Sequence, residues 1–239
     1  MLKSFWQISL ITSIITSSAT ASDLTPATNL DLLKRQIINY HRSGAWEYEL
    51  KKIADQAMAF LKKSVQENKQ LKSPQKLAVV LDIDETCLSN YRDLKKLGFG
   101  GTAKMQNEAE GRANDPVIAP TLALYRYALK HKVRVFFVTG RLEKYRQSTI
   151  KNLKETGYTS VKSAVKPCEN LPVNRRCLLY LRDRKNARNS AITYKTAMRK
   201  KITNAGYRII LNIGDQYSDL AGGYSVKSFK YPNYMYYIA

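Results

Sequence analysis

The stretch Leu77-Ala78-Val79-Val80-Leu81-Asp82-Ile83-Asp84-Glu85-Thr86 constrains the fold of this chain more than any other. Strand-forming apolar residues run unbroken from Leu77 to Leu81, shortly after Pro74. A run without polar alternation predicts a strand buried on both faces, as in a parallel sheet. We read strand one as 77–83. Asp is disfavoured in strands, so Asp82 and Asp84 need a reason to be there. In open α/β sheets, ligand chemistry gathers where strands reach their carboxyl ends. Residues two apart on an extended segment point the same way, so both carboxylates face one crevice. Such a pair suits a hard cation together with a nucleophile and an acid/base. The structural alternative is a capping pair at a strand end.

Helical spacing is read at 31–40 and 45–63, with Ile53, Ala57 and Phe60 or Leu61 on one face, and Ser43-Gly44 breaks the two helices apart. A segment from Ser89 to Ala119 holds Gly98, Gly100, Gly101 and Gly111 and shows no strong period. Helical patterns at 122–130 and 142–156 flank a second buried strand, Val133–Val138, which runs into Thr139-Gly140-Arg141. A further strand is expected at 177–181, a helix at 191–204, and a third buried strand, Arg208–Ile213, before Gly214-Asp215. Strands alternating with helices predict an α/β fold, a doubly wound, mostly parallel sheet with right-handed crossovers.

Four segments together resemble the motifs of the haloacid dehalogenase (HAD) superfamily of phosphohydrolases, in family order. They are LDIDETCLSN (81–90), FVTGR (137–141), YKTAMR (194–199) and GDQYSDL (214–220). The fuller strings are similar to the acid phosphatase branch, which holds secreted bacterial non-specific acid phosphatases and plant vegetative storage proteins. The ending from Tyr231 to Ile238 and Ser43-Gly44 before the long helix are similar too. The resemblance covers roughly residues 30–239.

This resemblance implies a HAD-like Rossmannoid with N-terminal helices and a small cap insertion after strand one, at about 91–119, within a single domain over 22–239. It implies that Asp82 is the nucleophile, that Asp84 is the general acid/base, and that Lys195 neutralises Asp82 and the phosphoryl group. Thr139 and the Gly140 amide would hold a phosphoryl oxygen. Mg²⁺ would be held by Asp82, the backbone carbonyl of Asp84, and Asp215. Asp219 would be a further ligand or would orient metal-bound water. Arg141 is either structural or substrate-facing. Glu85 and Asn90 match the branch but carry no assigned chemistry. Storage members that lost the nucleophilic aspartate are inactive, whereas Asp82 is retained here. His41 and His131 are the only two histidines, too few for a His-rich dinuclear metal site.

The N-terminus reads as a signal peptide over 1–21. Lys3 is positive, Phe5–Thr16 is mostly apolar, and Ala19-Thr20-Ala21 is a small-x-small cleavage site. The apolar stretch is short for a bilayer, and no Cys follows for lipid anchoring, so a secreted or periplasmic protein without a stable membrane anchor is expected. In an oxidising compartment Cys168 and Cys177 either pair or remain free thiols, and Cys87 is read as a small buried packing residue. The net charge of +21 comes from 40 Lys+Arg against 19 Asp+Glu. That field would attract anionic substrates and nonspecific polyanions, or it is ordinary solubility charge spread over helix faces.

Two functions remain at this level. The first is a secreted Mg²⁺-dependent acid phosphatase acting on small phosphate esters, nucleotides among them. The second is a non-catalytic basic binding or storage protein on the same fold. Oligomer formation is compatible with either.

Overall fold

A computed structural model describes residues 28–161, 172–173, 177–183 and 190–238. The signal segment at 1–21 and Cys168 lie outside the described residues. Cys177 is disulfide-bonded, and Cys87 is a buried free thiol.

Five parallel strands form one sheet: β1 (Lys76–Leu81), β2 (Arg134–Leu142), β3 (Leu179–Arg182), β4 (Tyr207–Gly214) and β5 (Lys227–Lys230), in the order β3-β2-β1-β4-β5. β1 lies centrally, pairing Leu81 with Phe137 of β2 on one side and with Ile213 of β4 on the other. Its unbroken apolar run is explained by this position, because both faces are covered. Leu77, Val79 and Leu81 join one buried cluster, whereas Ala78 and Val80 join the other.

The first cluster is covered by α2 (Ala45–Gln70), α5 (Ala119–Lys130) and α6 (Arg146–Glu155). Helix α2 buries Trp46, Leu50, Ala54, Ala57, Leu61 and Val65. Steps of three and four make one apolar stripe facing the sheet. Ile53 and Phe60 pack at its margin. The second cluster is covered by α7 (Ala191–Asn204), through Tyr194, Met198 and Ile202. The sheet is therefore doubly wound. Helix α1 (Leu30–Arg42) leans on α2, and Gly44 separates them in the left-handed region at φ 78°, where a side chain is disfavoured.

Two short helices, α3 (Tyr91–Lys96) and α4 (Ala103–Gly111), occupy the aperiodic insertion. Its two stems meet as an antiparallel bridge. The Ser89 amide donates to the Pro116 carbonyl at 2.9 Å, and the Ile118 amide to Cys87 at 2.9 Å. Buried Asp93 of α3 takes Arg112 Nη2, just beyond α4, at 3.0 Å. A last short helix, α8 (Tyr217–Leu220), follows β4.

Several boundaries differ from the sequence expectation. Helix α2 continues to Gln70, and β2 continues through Thr139-Gly140-Arg141 to Leu142. A 3₁₀ turn at Glu143–Tyr145 then precedes α6. Strand β5 was not expected; it is four residues with partly polar faces, too short for a periodic signal. Helix α7 lies at the expected residues.

Candidate active site

Beyond Leu81 the chain leaves β1, with the Asp82 amide still donating to the Ile213 carbonyl at 3.0 Å. The amides of Thr86, Cys87 and Leu88 then all converge on the Ile83 carbonyl. This tight turn places Glu85 in the left-handed region at φ 51°. Glu85 is fully buried, and its carboxylate accepts from the Asn90 amide and from Ser89 Oγ. Burial pushes its pKa well above the ordinary carboxylate value. Glu85 thereby fixes the backbone at Asn90, whose side-chain Nδ2 donates to Asp84 Oδ1 at 2.6 Å.

One cleft of about 320 Å³ opens at the carboxyl end of the sheet, where β1 is flanked by β2 and β4. This is the switch point at which strand order reverses. Asp82, Asp84, Gly140, Lys195 and Asp215 all border it. Asp219 lies just behind, since carboxylate oxygens of Asp82, Asp215 and Asp219 fall within 4.8 Å of one another. Lys195 is 6 % exposed, and its Nζ donates to Asp82 Oδ1 at 2.7 Å and to Asp219 Oδ1. Three buried carboxylates against one ammonium leave negative charge unbalanced. All donors in the trio are oxygens, with no histidine or thiolate among them. Such a set fits a hard divalent cation.

The electrostatics match that imbalance. Burial raises the Asp82 pKa, opposed by the Lys195 ammonium and reinforced by Asp219, Asp215 and Asp84. Asp215 is pushed up to about 7 by burial and by the Asp219 charge, although Gln216 Nε2 and Asn233 Nδ2 donate to its Oδ2 at 2.6 and 2.7 Å. Lys195 is held protonated: burial alone would lower its pKa, but the two carboxylates raise it.

Asp84 faces a different environment. Its carboxylate receives Arg141 Nε at 3.0 Å and Arg141 Nη2 at 2.7 Å. Burial would raise its pKa, but the Arg141 charge and the hydrogen bonds from Arg141 and Asn90 bring it below the ordinary value. The same Nη2 donates to Asp115 Oδ2 at 3.0 Å. Arg141 thus joins the strand-end aspartate to the base of the insertion. Asp115 is itself held by Asn152 of α6, which accepts from the Asp115 amide and donates to its carbonyl, both at 2.9 Å. Asn152→Ala would leave both backbone groups buried and unpaired. We expect it to cost roughly 1–3 kcal/mol, read as a lower denaturant midpoint with an unchanged slope.

Thr139 is fully buried, and its Oγ1 accepts from the Arg141 amide at 3.2 Å. Its neighbour Gly140 reaches the cleft surface while Thr139 itself stays behind. The Asp84 carboxylate stands apart from the Asp82, Asp215 and Asp219 trio; the expected contribution of Asp84 to a metal was its carbonyl. Sequence reasoning left several neighbours without a role. Asn90 and Glu85 sit inside the first quoted string, and Arg199 inside the third. Arg199 donates to the carbonyls of Asp219, Ala221 and Gly223, holding the chain end of α8. Asp115 and Glu110 carried no signal, because nothing in their local spacing marks them, and Asn233 lies in the ending 231–238, for which no residue role was assigned. The tail was noted only as similar; Gln216 accepts the Ile238 amide at 3.0 Å and draws Tyr236 and Tyr237 to the cleft rim.

Residues 7–239 match the family described as HAD superfamily, subfamily IIIB (Acid phosphatase). The chain belongs to this family. It is 34% identical over 163 residues to acid phosphatase 1 of Solanum lycopersicum, covering 66% of this chain and 58% of that protein. The chain therefore spans little more than half the length of that relative. Vegetative storage protein 2 of Arabidopsis thaliana is 27% identical over 229 residues, covering 93% of this chain and 77% of that one. In fold the chain is similar to the class C acid phosphatase of Bacillus anthracis, with a TM-score of 0.63 at 20% identity over 86% of each chain. Among the described residues, no helix is long and apolar enough to cross a membrane.

Proposed function

We propose that this protein is a secreted, Mg²⁺-dependent phosphomonoesterase that works through an aspartyl-phosphate on Asp82. One observation carries the reading: Asp82, Asp84, Lys195 and Asp215 border a single cleft at the switch point of the sheet. Asp82, Asp215, Asp219 and the Asp84 carbonyl would hold Mg²⁺, which supplies charge neutralisation for the phosphoryl oxygens.

The residues of the chain do the rest. An anionic nucleophile is repelled by an anionic phosphoryl group unless cations intervene. Lys195, bonded to Asp82, meets that need from the protein side. Asp82 attacks phosphorus, and the bond from phosphorus to the alcohol oxygen breaks. Asp84 gives its proton to that oxygen. In the second step Asp84 takes a proton from water as the water attacks phosphorus, and Asp82 is released with inorganic phosphate. Thr139 and the Gly140 amide would orient the phosphoryl oxygens. The Arg141 fork keeps Asp84 ionised at neutral pH. Loading its proton therefore favours acidic media, a physical basis for an acid optimum.

Turnover of p-nitrophenyl phosphate should vanish on chelation and return with Mg²⁺. In the same assay, kcat should fall as pH rises above the carboxylate range, because the depressed Asp84 pKa leaves less acid form. Turnover indifferent to chelation would remove the metal from the reading. The storage-protein relative keeps a second outcome in view: no turnover, with salt-sensitive binding to nucleic acid through the +21 charge.

A further inference from the structure

We propose that Glu110 of the insertion, with Arg141, forms a leaving-group subsite that selects phosphate esters bearing a hydroxyl near the ester oxygen. The inference rests on the phosphatase reading above and extends it to the class of alcohol released.

Glu110 is the second-to-last residue of α4 and borders the same cleft as Asp82 and Asp84. Its Oε2 is buried and finds no hydrogen-bond partner. Arg141 Nη1 and Asn90 Oδ1, on residues that border the same cleft, share that condition. Buried polar atoms are ordinarily paired, and an unpaired one is a standing cost. Arg141 and Asn90 are both bonded to Asp84, and Glu110 borders the same cleft close enough to feel the charges of Asp84 and Arg141. Arg141 satisfies Asp84 and Asp115 through Nε and Nη2 and keeps Nη1 spare. Burial and the Asp84 charge push the Glu110 pKa up to about 8. Near neutrality its carboxyl therefore carries a proton in part and either donates or accepts.

Asp84 is the residue proposed to protonate the departing oxygen. Whatever lies beside it is the first part of the leaving group. A bare alkyl chain would leave all three atoms unpaired. An ammonium would pair with Glu110 and Asn90, but it would sit beside the Arg141 guanidinium and leave Nη1 without an acceptor. A hydroxyl donates to a carboxylate oxygen and accepts from a guanidinium at once, so it satisfies Glu110 and Nη1 together. The site therefore fits esters of polyols.

The test is a matched set of substrates: glycerol 1-phosphate, propyl phosphate and 2-aminoethyl phosphate, with p-nitrophenyl phosphate establishing that the enzyme turns over. The readout is the ratio of kcat/KM for glycerol 1-phosphate to that for propyl phosphate. Sites built to hydrogen-bond a substrate hydroxyl reject the analogue lacking it, so a ratio of about tenfold or more is expected in the wild type. In Glu110→Leu the ratio should collapse towards one, while Glu110→Gln, which keeps an acceptor and a donor, should retain most of it. A purely structural role would scale all substrates alike and leave the ratio intact. A ratio near one in the wild type, an unchanged ratio in Glu110→Leu, or a preference for the amine would each overturn the proposal. Turnover of p-nitrophenyl phosphate alongside such a result would leave the phosphatase reading standing. No turnover of any ester would sink both.

Discussion

Asp82→Asn is expected to abolish phosphomonoester hydrolysis, lowering kcat by on the order of 10⁴-fold or more. The reason is chemical: an amide does not open the covalent route, and the remaining groups only bind and polarise. The same substitution should not unfold the protein. Asp82 lies buried among Asp215 and Asp219, and burial already disfavours its charge. Removing one of three crowded carboxylates relieves repulsion, and Lys195 keeps its bond to Asp219. We therefore expect the melting temperature of the metal-free variant to hold or rise, as is common where function is bought with local strain. Rapid-quench trapping of phosphate on the wild-type protein, absent in the variant, is the direct measurement. Substantial steady-state turnover by Asp82→Asn would end the nucleophile assignment.

Gly214→Ala is expected to damage the site through the backbone. A Cβ built on Gly214 would lie 2.2 Å from Asp219 Oδ2 and 2.3 Å from Asp219 Cβ. No rotamer removes a clash with a neighbour's own Cβ, so the start of α8 must shift. Asp219 Oδ2 accepts the Gln216 amide at 2.9 Å, and its Oδ1 takes Lys195. Both bonds depend on where that turn sits. We expect Mg²⁺ affinity to fall at least tenfold, by analogy with losses on disturbing groups around a metal. Folding stability should fall by about 1–3 kcal/mol, the usual cost of overpacking. Titrating activity against Mg²⁺ separates the two effects, because excess metal should recover part of the lost rate but not the melting temperature. A variant with unchanged metal dependence would mean that the close approach of Gly214 to Asp219 does not matter.

How far the chain was legible in sequence varies with the kind of signal. β1 and β4 announced themselves because strands buried on both faces leave continuous apolar runs. α7 spans the residues expected for it, and in the structure Ser190 caps its start by accepting the Thr193 amide. β5 was missed because four residues at a sheet edge, with Lys227 and Lys230 at its ends, carry no readable period. The insertion shows no strong period in sequence because α3 and α4 are held by Asp93 with Arg112 and by the antiparallel stem, which are contacts between distant residues rather than local propensity. Asp82, Asp84, Lys195 and Asp215 were named from motif strings, and the structure brings them to one cleft. The neighbours that tune them, Asn152, Asp115 and Glu110, belong to no string.

Chain order and residue type alone settled that aspartates would stand at the end of a doubly covered strand, because a strand's period and burial are written along the chain. Which groups would face each carboxylate was decided only in three dimensions. Asp82 and Asp84 are two residues apart and point into the same cleft, yet Lys195 lies on one and Arg141 on the other. Burial raises the pKa of the first, and the guanidinium lowers that of the second. Electrostatic interactions depend on distance through space and on the surrounding medium, and neither is encoded by spacing along a strand.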